Sequence, residues 1–206
     1  MPPTALLIDL DGVVRRWKVD LAAIERRHRL PTGSILRVAL APACLHPAIT
    51  GAITDDVWRA GIALELQQRH PDASAQRAVA EWSASSGEVD PLVLRALDRC
   101  RLELRVVLAT NATSRLSADL LALGLADRFH AIANSSELRV AKPSAEYFNA
   151  ALRIAGAGAK ETLFVDDAPV NVEAAAAAGM RAHLFTGHAA LSAFLEAAGA
   201  LSETRR

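Results

Sequence analysis

Two carboxylates set two residues apart open the chemistry of this chain. The stretch Asp9-Leu10-Asp11-Gly12-Val13-Val14 directly follows the apolar run Ala5-Leu6-Leu7-Ile8. That run is too short to span a membrane and suits a buried parallel strand. Residues at i and i+2 leave a strand on the same side, so Asp9 and Asp11 should emerge together, roughly 7 Å apart along it. Gly12 lets the backbone turn sharply just after them. Two anions crowded at a strand's end repel each other, and a cation there is the natural remedy. One carboxylate could then serve as nucleophile while its neighbour handles protons. The same residues also describe an ordinary Asp-Gly turn, so the rest of the chain has to decide.

Further polar residues follow the later apolar runs. Thr110-Asn111 comes after Val106-Val107-Leu108-Ala109, and Asp166-Asp167 after Leu163-Phe164-Val165. Lys142-Pro143 lies in the loop beyond the short run around Ile132. In open parallel sheets ligands bind outside the carboxyl ends of the strands, so all of these residues should converge on one edge with Asp9 and Asp11. Each has a plainer reading when taken alone. Thr110-Asn111 could simply cap a helix, and Lys142 could be a solvated loop residue. Asp166-Asp167 could be a cap and turn, although adjacent carboxylates after a buried strand are costly without a cation. Their joint occurrence in strand order is what favours a site.

The elements that must position these residues follow from periodicity. From about residue 19 to 87 the pattern is helical and no strand is expected. Leu21, Ala23 and Ile24 alternate with Glu25, Arg26, Arg27 and Arg29 in a helix stopped by Pro31. Thr54 offers an N-cap to a helix carrying Val57, Trp58, Ile62, Leu64 and Leu66. A third helix runs from Ala73 to Ser83, with Val79 and Trp82 on its buried side, and Ser85-Ser86-Gly87 reads as a linker. Between Pro31 and Gly51 no helical pattern is legible. From Pro91 onward, helices alternate with short apolar strands, the last expected at His183-Leu184-Phe185. That alternation implies a parallel sheet covered on both faces. Gly156-Ala157-Gly158-Ala159-Lys160 faintly mimics a phosphate loop, but it precedes a strand instead of following one and reads as a helix-to-strand turn.

Bulk properties exclude several classes. Of the 206 residues 51% are apolar, far too many for a disordered chain. Lys+Arg and Asp+Glu each total 23, which leaves no basic stripe for nucleic acid. Thr204-Arg205-Arg206 reads as a frayed tail. Cys44 and Cys100 lack any CxxC spacing and read as free thiols in a reducing compartment. No basic region precedes the first apolar run, and no apolar stretch reaches membrane-spanning length. A soluble cytoplasmic protein is expected, with no nucleic acid and no membrane as partner, as a monomer or homodimer.

The set of motifs resembles the haloacid dehalogenase superfamily, and the resemblance covers nearly the whole chain. Its four motifs correspond to Asp9-Leu10-Asp11-Gly12-Val13, Leu108-Ala109-Thr110-Asn111, Lys142-Pro143-Ser144 and Phe164-Val165-Asp166-Asp167. The continuation Asn171-Val172-Glu173-Ala174-Ala175 and Gly179-Met180 is similar to the branch that bears a helical cap. The resemblance implies an α/β fold: a Rossmann-like, doubly wound parallel sheet core with an all-helical cap inserted after strand one. The core would comprise 1–14 and 88–206, and the cap 15–87.

It also implies a Mg²⁺-dependent phosphomonoester hydrolase acting on a small phosphorylated metabolite. Asp9 would be the nucleophile, forming an aspartyl-phosphate. Asp11 would be general acid toward the leaving alcohol and then base for the attacking water. The metal ligands would be the Asp9 and Asp167 side chains and the Asp11 carbonyl, with Asp166 ligating directly or through water. Thr110 and the Asn111 backbone N–H would hold the transferring phosphoryl group together with Lys142. The chemistry fits the residue types, because a carboxylate and a phosphate about 4 Å apart repel by roughly 4 kcal/mol at an effective dielectric near 20. Mg²⁺, which prefers oxygen ligands, and the Lys142 ammonium would offset that repulsion. Dehalogenases of the superfamily lack an acid at the position of Asp11, since displacing halide needs no proton donor. Substrate contacts are sought at Arg15, Arg16, Trp17 and the Pro42–Gly51 stretch with His46, though each also reads as surface or packing, and Trp58 and Trp82 read as cap core. A phosphomutase of the same superfamily and a non-catalytic domain binding a phosphorylated metabolite are the competing readings.

Overall fold

A computed structural model describes residues 1–201, so the Thr204-Arg205-Arg206 tail lies outside the described residues. The chain opens with β1 (Ala5–Ile8), turns at Gly12 and leaves through a two-residue strand, β2 (Arg15–Arg16). Five helices follow: α1 (Leu21–Arg27), α2 (Ser34–Ala39), α3 (Pro42–Ile49), α4 (Asp55–Arg69) and α5 (Ala75–Ser83). The strand β3 (Glu88–Val89) brings the chain back. Then come α6 (Pro91–Cys100), β4 (Arg105–Thr110), α7 (Leu116–Ala122), β5 (Ala131–Asn134), α8 (Ser135–Leu138) and α9 (Ala145–Ala155). β6 (Thr162–Asp166), α10 (Pro169–Ala177), β7 (Arg181–Leu184) and α11 (His188–Ala197) complete the described elements.

The sheet is parallel throughout, in the order β5-β4-β1-β6-β7. Successive side chains of a strand point to opposite faces, and both faces here are covered by helices. Leu6, Ile8, Val106, Leu108, Leu163 and Val165 share a cluster with residues of α6, α7 and α11. Ala5, Leu7, Val107, Ala109 and Phe164 share another with Tyr147, Phe148 and Ala151 of α9 and Ala175 of α10. The doubly wound α/β arrangement anticipated from the alternation is therefore present. Register fixes the site: Ile8 lies level with Leu108 on one side and Val165 on the other. The next residue on each strand is Ala109, Asp9 or Asp166, so the two carboxylates leave adjacent strands side by side.

The helices α1 to α5 pack on one another instead of on the sheet. Ile24, Ile35, Val38, Ala48, Ile62 and Leu66 are buried in a cluster of their own, and Trp58 meets Trp82 edge-on at 5.8 Å. Thr54 caps α4 by accepting from the Val57 N–H. The stretch in which no helical pattern was legible, Pro31 to Gly51, forms α2 and α3, with Pro47 inside α3. Neither helix has a side-chain cap on its own N-cap residue. Buried Glu25 of α1 instead accepts from the Gly33 and Ile35 N–H groups at 2.6 and 2.9 Å, a favourable place for a carboxylate at a helix N-terminus. Tertiary packing, not local propensity, makes these two helices. The expectation of no strand in the helical segment holds between its ends, but β2 and β3 pair antiparallel where the chain leaves and re-enters the sheet. Farther along, Thr113 Oγ1 donates to Asp55 Oδ1 at 2.7 Å and ties α4 to the loop after β4. No helix among the described residues is long and apolar enough to cross a membrane.

Both cysteines are free thiols, as expected. Burial pushes the Cys100 thiol up to about 12, and Cys44 is also raised, first by burial. A disulfide exchange reagent at pH 8 should therefore leave Cys100 of the native protein untouched and modify Cys44 only slowly. Both should react at once after unfolding, and rapid modification of Cys100 in the native protein would contradict this packing.

Candidate active site

The carboxyl end of the sheet gathers the charged residues around one ammonium. Lys142 Nζ lies 2.9 Å from Asp9 Oδ1 and 2.6 Å from Asp166 Oδ2, and it donates to the Ala109 carbonyl at 2.8 Å. Its side chain is wholly buried. Burial alone disfavours the ammonium, but the facing Asp9 and Asp166 charges outweigh it and raise the Lys142 pKa. Asn111 holds the backbone of this lysine in place: its Oδ1 accepts from the Lys142 N–H at 2.8 Å and its Nδ2 donates to the Lys142 carbonyl at 3.0 Å. The Asn111 side chain thus has a job that its residue type alone does not reveal.

Asp166 is fully enclosed and fully satisfied. Its oxygens accept from the Ala168 N–H at 2.8 Å and from Asn171 Nδ2 at 3.0 and 3.1 Å, besides Lys142. Asp167 stands at the rim, its pKa raised first by burial and then by the Asp166 charge. Asp9, Asp166 and Asp167 each bring a carboxylate oxygen within 4.8 Å of the others. Three carboxylates against one ammonium leave a formal surplus of two negative charges in one small volume. Gly12 is the residue that permits it: at φ +80°, a Cβ there would stand 2.0 Å from Asp167 Oδ2. An all-oxygen donor set with surplus negative charge fits a hard divalent cation such as Mg²⁺.

The remaining sequence-derived residues fall around the same space. A cavity of about 540 Å³ is lined by Asp9, Asp11, Thr110, Asn111, Lys142 and Asp167, with Arg16 and Trp17 at its edge. Asp11 is not part of the carboxylate cluster. Its Oδ1 accepts from Arg15 Nε at 2.7 Å and Trp17 Nε1 at 2.8 Å, and its Oδ2 from the second Arg15 nitrogen at 2.9 Å. Arg15 is itself buried, reaches Asp119 at 2.8 Å and stacks over the Trp17 ring at 4.3 Å. The packing reading of Arg15 is therefore right, but what it packs against is the site's own carboxylate. The available signal was its position four residues after Asp11, across a tight turn in which Gly12 N–H donates to the Arg15 carbonyl. His46 is exposed on α3 and does not line this cavity or the larger one beside it.

The doubly wound sheet and its acidic cluster give the architecture of the site, and comparison with known proteins names the family. A family model described as haloacid dehalogenase-like hydrolase matches residues 4–179, and the chain belongs to that family. The chain is 30% identical over 190 residues to a plasmid-encoded phosphoglycolate phosphatase of Cupriavidus necator, covering 87% of this chain and 79% of that protein. Among solved structures, a HAD family enzyme of Bacteroides thetaiotaomicron superposes with a TM-score of 0.74 at 22% identity, over 89% of this chain and 94% of that one. The same enzyme has been crystallised with magnesium and inorganic phosphate (TM-score 0.71, 22% identity, 88% and 93% of the two chains). L-2-haloacid dehalogenase of Xanthobacter autotrophicus superposes at 0.65 with 19% identity, over 95% of this chain and 83% of that one. These structural likenesses establish a shared fold.

Burial, opposed by Lys142 and reinforced by Asp166, raises the Asp9 pKa from 3.8 to about 6. A raised carboxylate pKa means the folded protein binds the proton more tightly than the unfolded chain, so this group's contribution to stability falls as pH rises from about 4 to 6. Unfolding in EDTA should accordingly show Asp9→Asn to be more stable than wild type above pH 6, by an amount on the order of 3 kcal/mol. That gap should close by pH 4. A variant equally or less stable than wild type at pH 7.5 would contradict the electrostatics described here.

Proposed function

We propose that this chain is a Mg²⁺-dependent phosphomonoester hydrolase, with 15–87 acting as a cap domain over a core made of 1–14 and 88–206. The observation that carries the reading is the surplus of negative charge at Asp9, Asp166 and Asp167 around a single buried ammonium. An anionic substrate would be repelled from such a cluster unless a divalent cation accompanied it. A haloacid displacement releases halide and needs no proton donor at the place of Asp11. The name of the Cupriavidus necator relative and the magnesium–phosphate complex of the Bacteroides thetaiotaomicron enzyme point the same way.

In this reading the Asp9 and Asp167 side chains and the Asp11 carbonyl hold Mg²⁺, with Asp166 beside them. The bound ion supplies charge compensation and Lewis acidity toward the phosphoryl oxygens. The reacting groups belong to the chain. An Asp9 carboxylate oxygen attacks phosphorus, the ester P–O bond breaks, and the Asp11 carboxyl gives its proton to the departing alkoxide. Asp11 then takes a proton from a water molecule that hydrolyses the aspartyl-phosphate, releasing inorganic phosphate and freeing Asp9. Lys142 offsets charge at the nucleophile, and Thr110 and the Asn111 backbone N–H orient the phosphoryl group. Arg15 and Trp17 position Asp11, which must exchange one of these donors for the leaving oxygen.

Turnover of p-nitrophenyl phosphate by the purified protein tests this. Activity should require Mg²⁺, vanish in EDTA and return on repletion. Asp9→Asn should lower kcat by at least about 10³-fold, the scale on which loss of a nucleophile acts. Undiminished Mg²⁺-dependent turnover by Asp9→Asn, or metal-independent halide release from 2-chloropropionate, would overturn the assignment.

A further inference from the structure

Beside the phosphoryl space lies a second cavity, of about 600 Å³, which shares Asp11, Trp17 and Asn111 with the first. The shared wall includes the carboxyl proposed to protonate the leaving group, so the second cavity lies where the organic part of a substrate positioned for that transfer would extend. Its lining is largely apolar. Leu36, Leu40, Leu45 and Ile49 of the helical segment contribute, with Leu21 and Trp58 behind them and Leu116 of the core opposite. Leu40 is 55% exposed and Leu36 38%, a cost in water that an apolar ligand would relieve.

Charge in this cavity is spoken for. Its cations among the described residues are Arg15 and Arg59. Arg15 is divided between Asp11 and Asp119 at 2.7 and 2.8 Å. Arg59 meets Asp55 at 2.5 Å, donates to Ser83 and lies over the Trp58 and Trp82 rings at 5.4 and 5.0 Å. Asp119 is held by Arg115 as well, at 2.9 Å, so Asp11, Asp55 and Asp119 already engage every arginine at this wall, and a carboxylate on the leaving alcohol would meet no uncommitted partner. A cationic alcohol gains little either, because the tryptophan faces already hold guanidinium groups. We infer that the organic part of the substrate is an uncharged, predominantly apolar alcohol, larger than the two-carbon acid released from phosphoglycolate. This inference rests on the phosphomonoesterase reading and sets this chain apart from the activity named for its Cupriavidus necator relative.

A panel of ethyl, butyl and hexyl phosphate with phosphoglycolate and phosphocholine, assayed by phosphate release under saturating Mg²⁺, tests it. We expect kcat/KM to rise about fourfold per added methylene while the chain is being buried, with phosphoglycolate and phosphocholine at least tenfold below hexyl phosphate. Leu40→Arg, at a half-exposed position, should lower kcat/KM for hexyl phosphate and raise it for phosphoglycolate; Leu36→Arg serves the same purpose if circular dichroism shows Leu40→Arg misfolded. A flat alkyl series, or phosphoglycolate or phosphocholine matching hexyl phosphate, overturns the inference and leaves the phosphatase reading standing. Failure to hydrolyse any ester, p-nitrophenyl phosphate included, overturns both.

Discussion

One buried ammonium organises the charged end of this molecule. Lys142 Nζ sits between Asp9 and Asp166, out of contact with water, and each of its three hydrogen-bond donors has a partner within 2.9 Å. Removing the ammonium would strand the buried Asp9 and Asp166 carboxylates without a countercharge, which is why the surroundings are built so closely around it. Asn111 grips the lysine's backbone from the end of β4, and Asn171 with the Ala168 N–H saturates Asp166 from the start of α10. The parallel register of β1 against β4 and β6 sets these parts at the same height. Even so, one ammonium does not balance three carboxylates. That imbalance is the observation on which a divalent cation and, with it, phosphoryl chemistry are proposed.

The second organising feature is the turn at Gly12. It brings Arg15 back onto Asp11, leaves room for the Asp167 carboxylate, and launches the chain into the helical segment through β2. A single tight turn therefore couples the proposed acid–base residue to the start of the proposed cap. Asp11 stands on the seam between a polar space beside Asp9 and an apolar one beneath α2 and α3. Under the proposed function, such a division would let one wall treat the phosphoryl group alike in every substrate while the other distinguished alcohols by burial.

Much of this was legible in the residues. Buried parallel strands read as unbroken apolar runs, so Ala5–Ile8, Val106–Ala109 and Leu163–Val165 announced themselves, and the polar residues directly after them had to meet at one sheet edge. The helices α2 and α3 were not legible, because Pro42 and Pro47 break the periodicity and the N-terminus of α2 is satisfied by Glu25 from a different helix. The two-residue strands β2 and β3 are too short to carry a period, and α8 and α11 were likewise not anticipated. The clamp of Asn111 on Lys142 and the fork of Arg15 on Asp11 depend on loops meeting across the fold, which spacing along the chain does not encode. The commitment of Arg59 to Asp55, which shapes the larger cavity's charge, is a local i,i+4 pair, but only the fold shows what it faces.

The central claim is that Asp9, held against Lys142 at the end of β1, becomes transiently phosphorylated. The most direct measurement is peptide mapping by mass spectrometry after acid quench of the Mg²⁺-loaded protein during turnover of an aryl phosphate. The account predicts one added phosphoryl group on the peptide carrying Asp9, labile in alkali. Steady turnover with no modification of that peptide, or with the phosphoryl group on another residue, would contradict it.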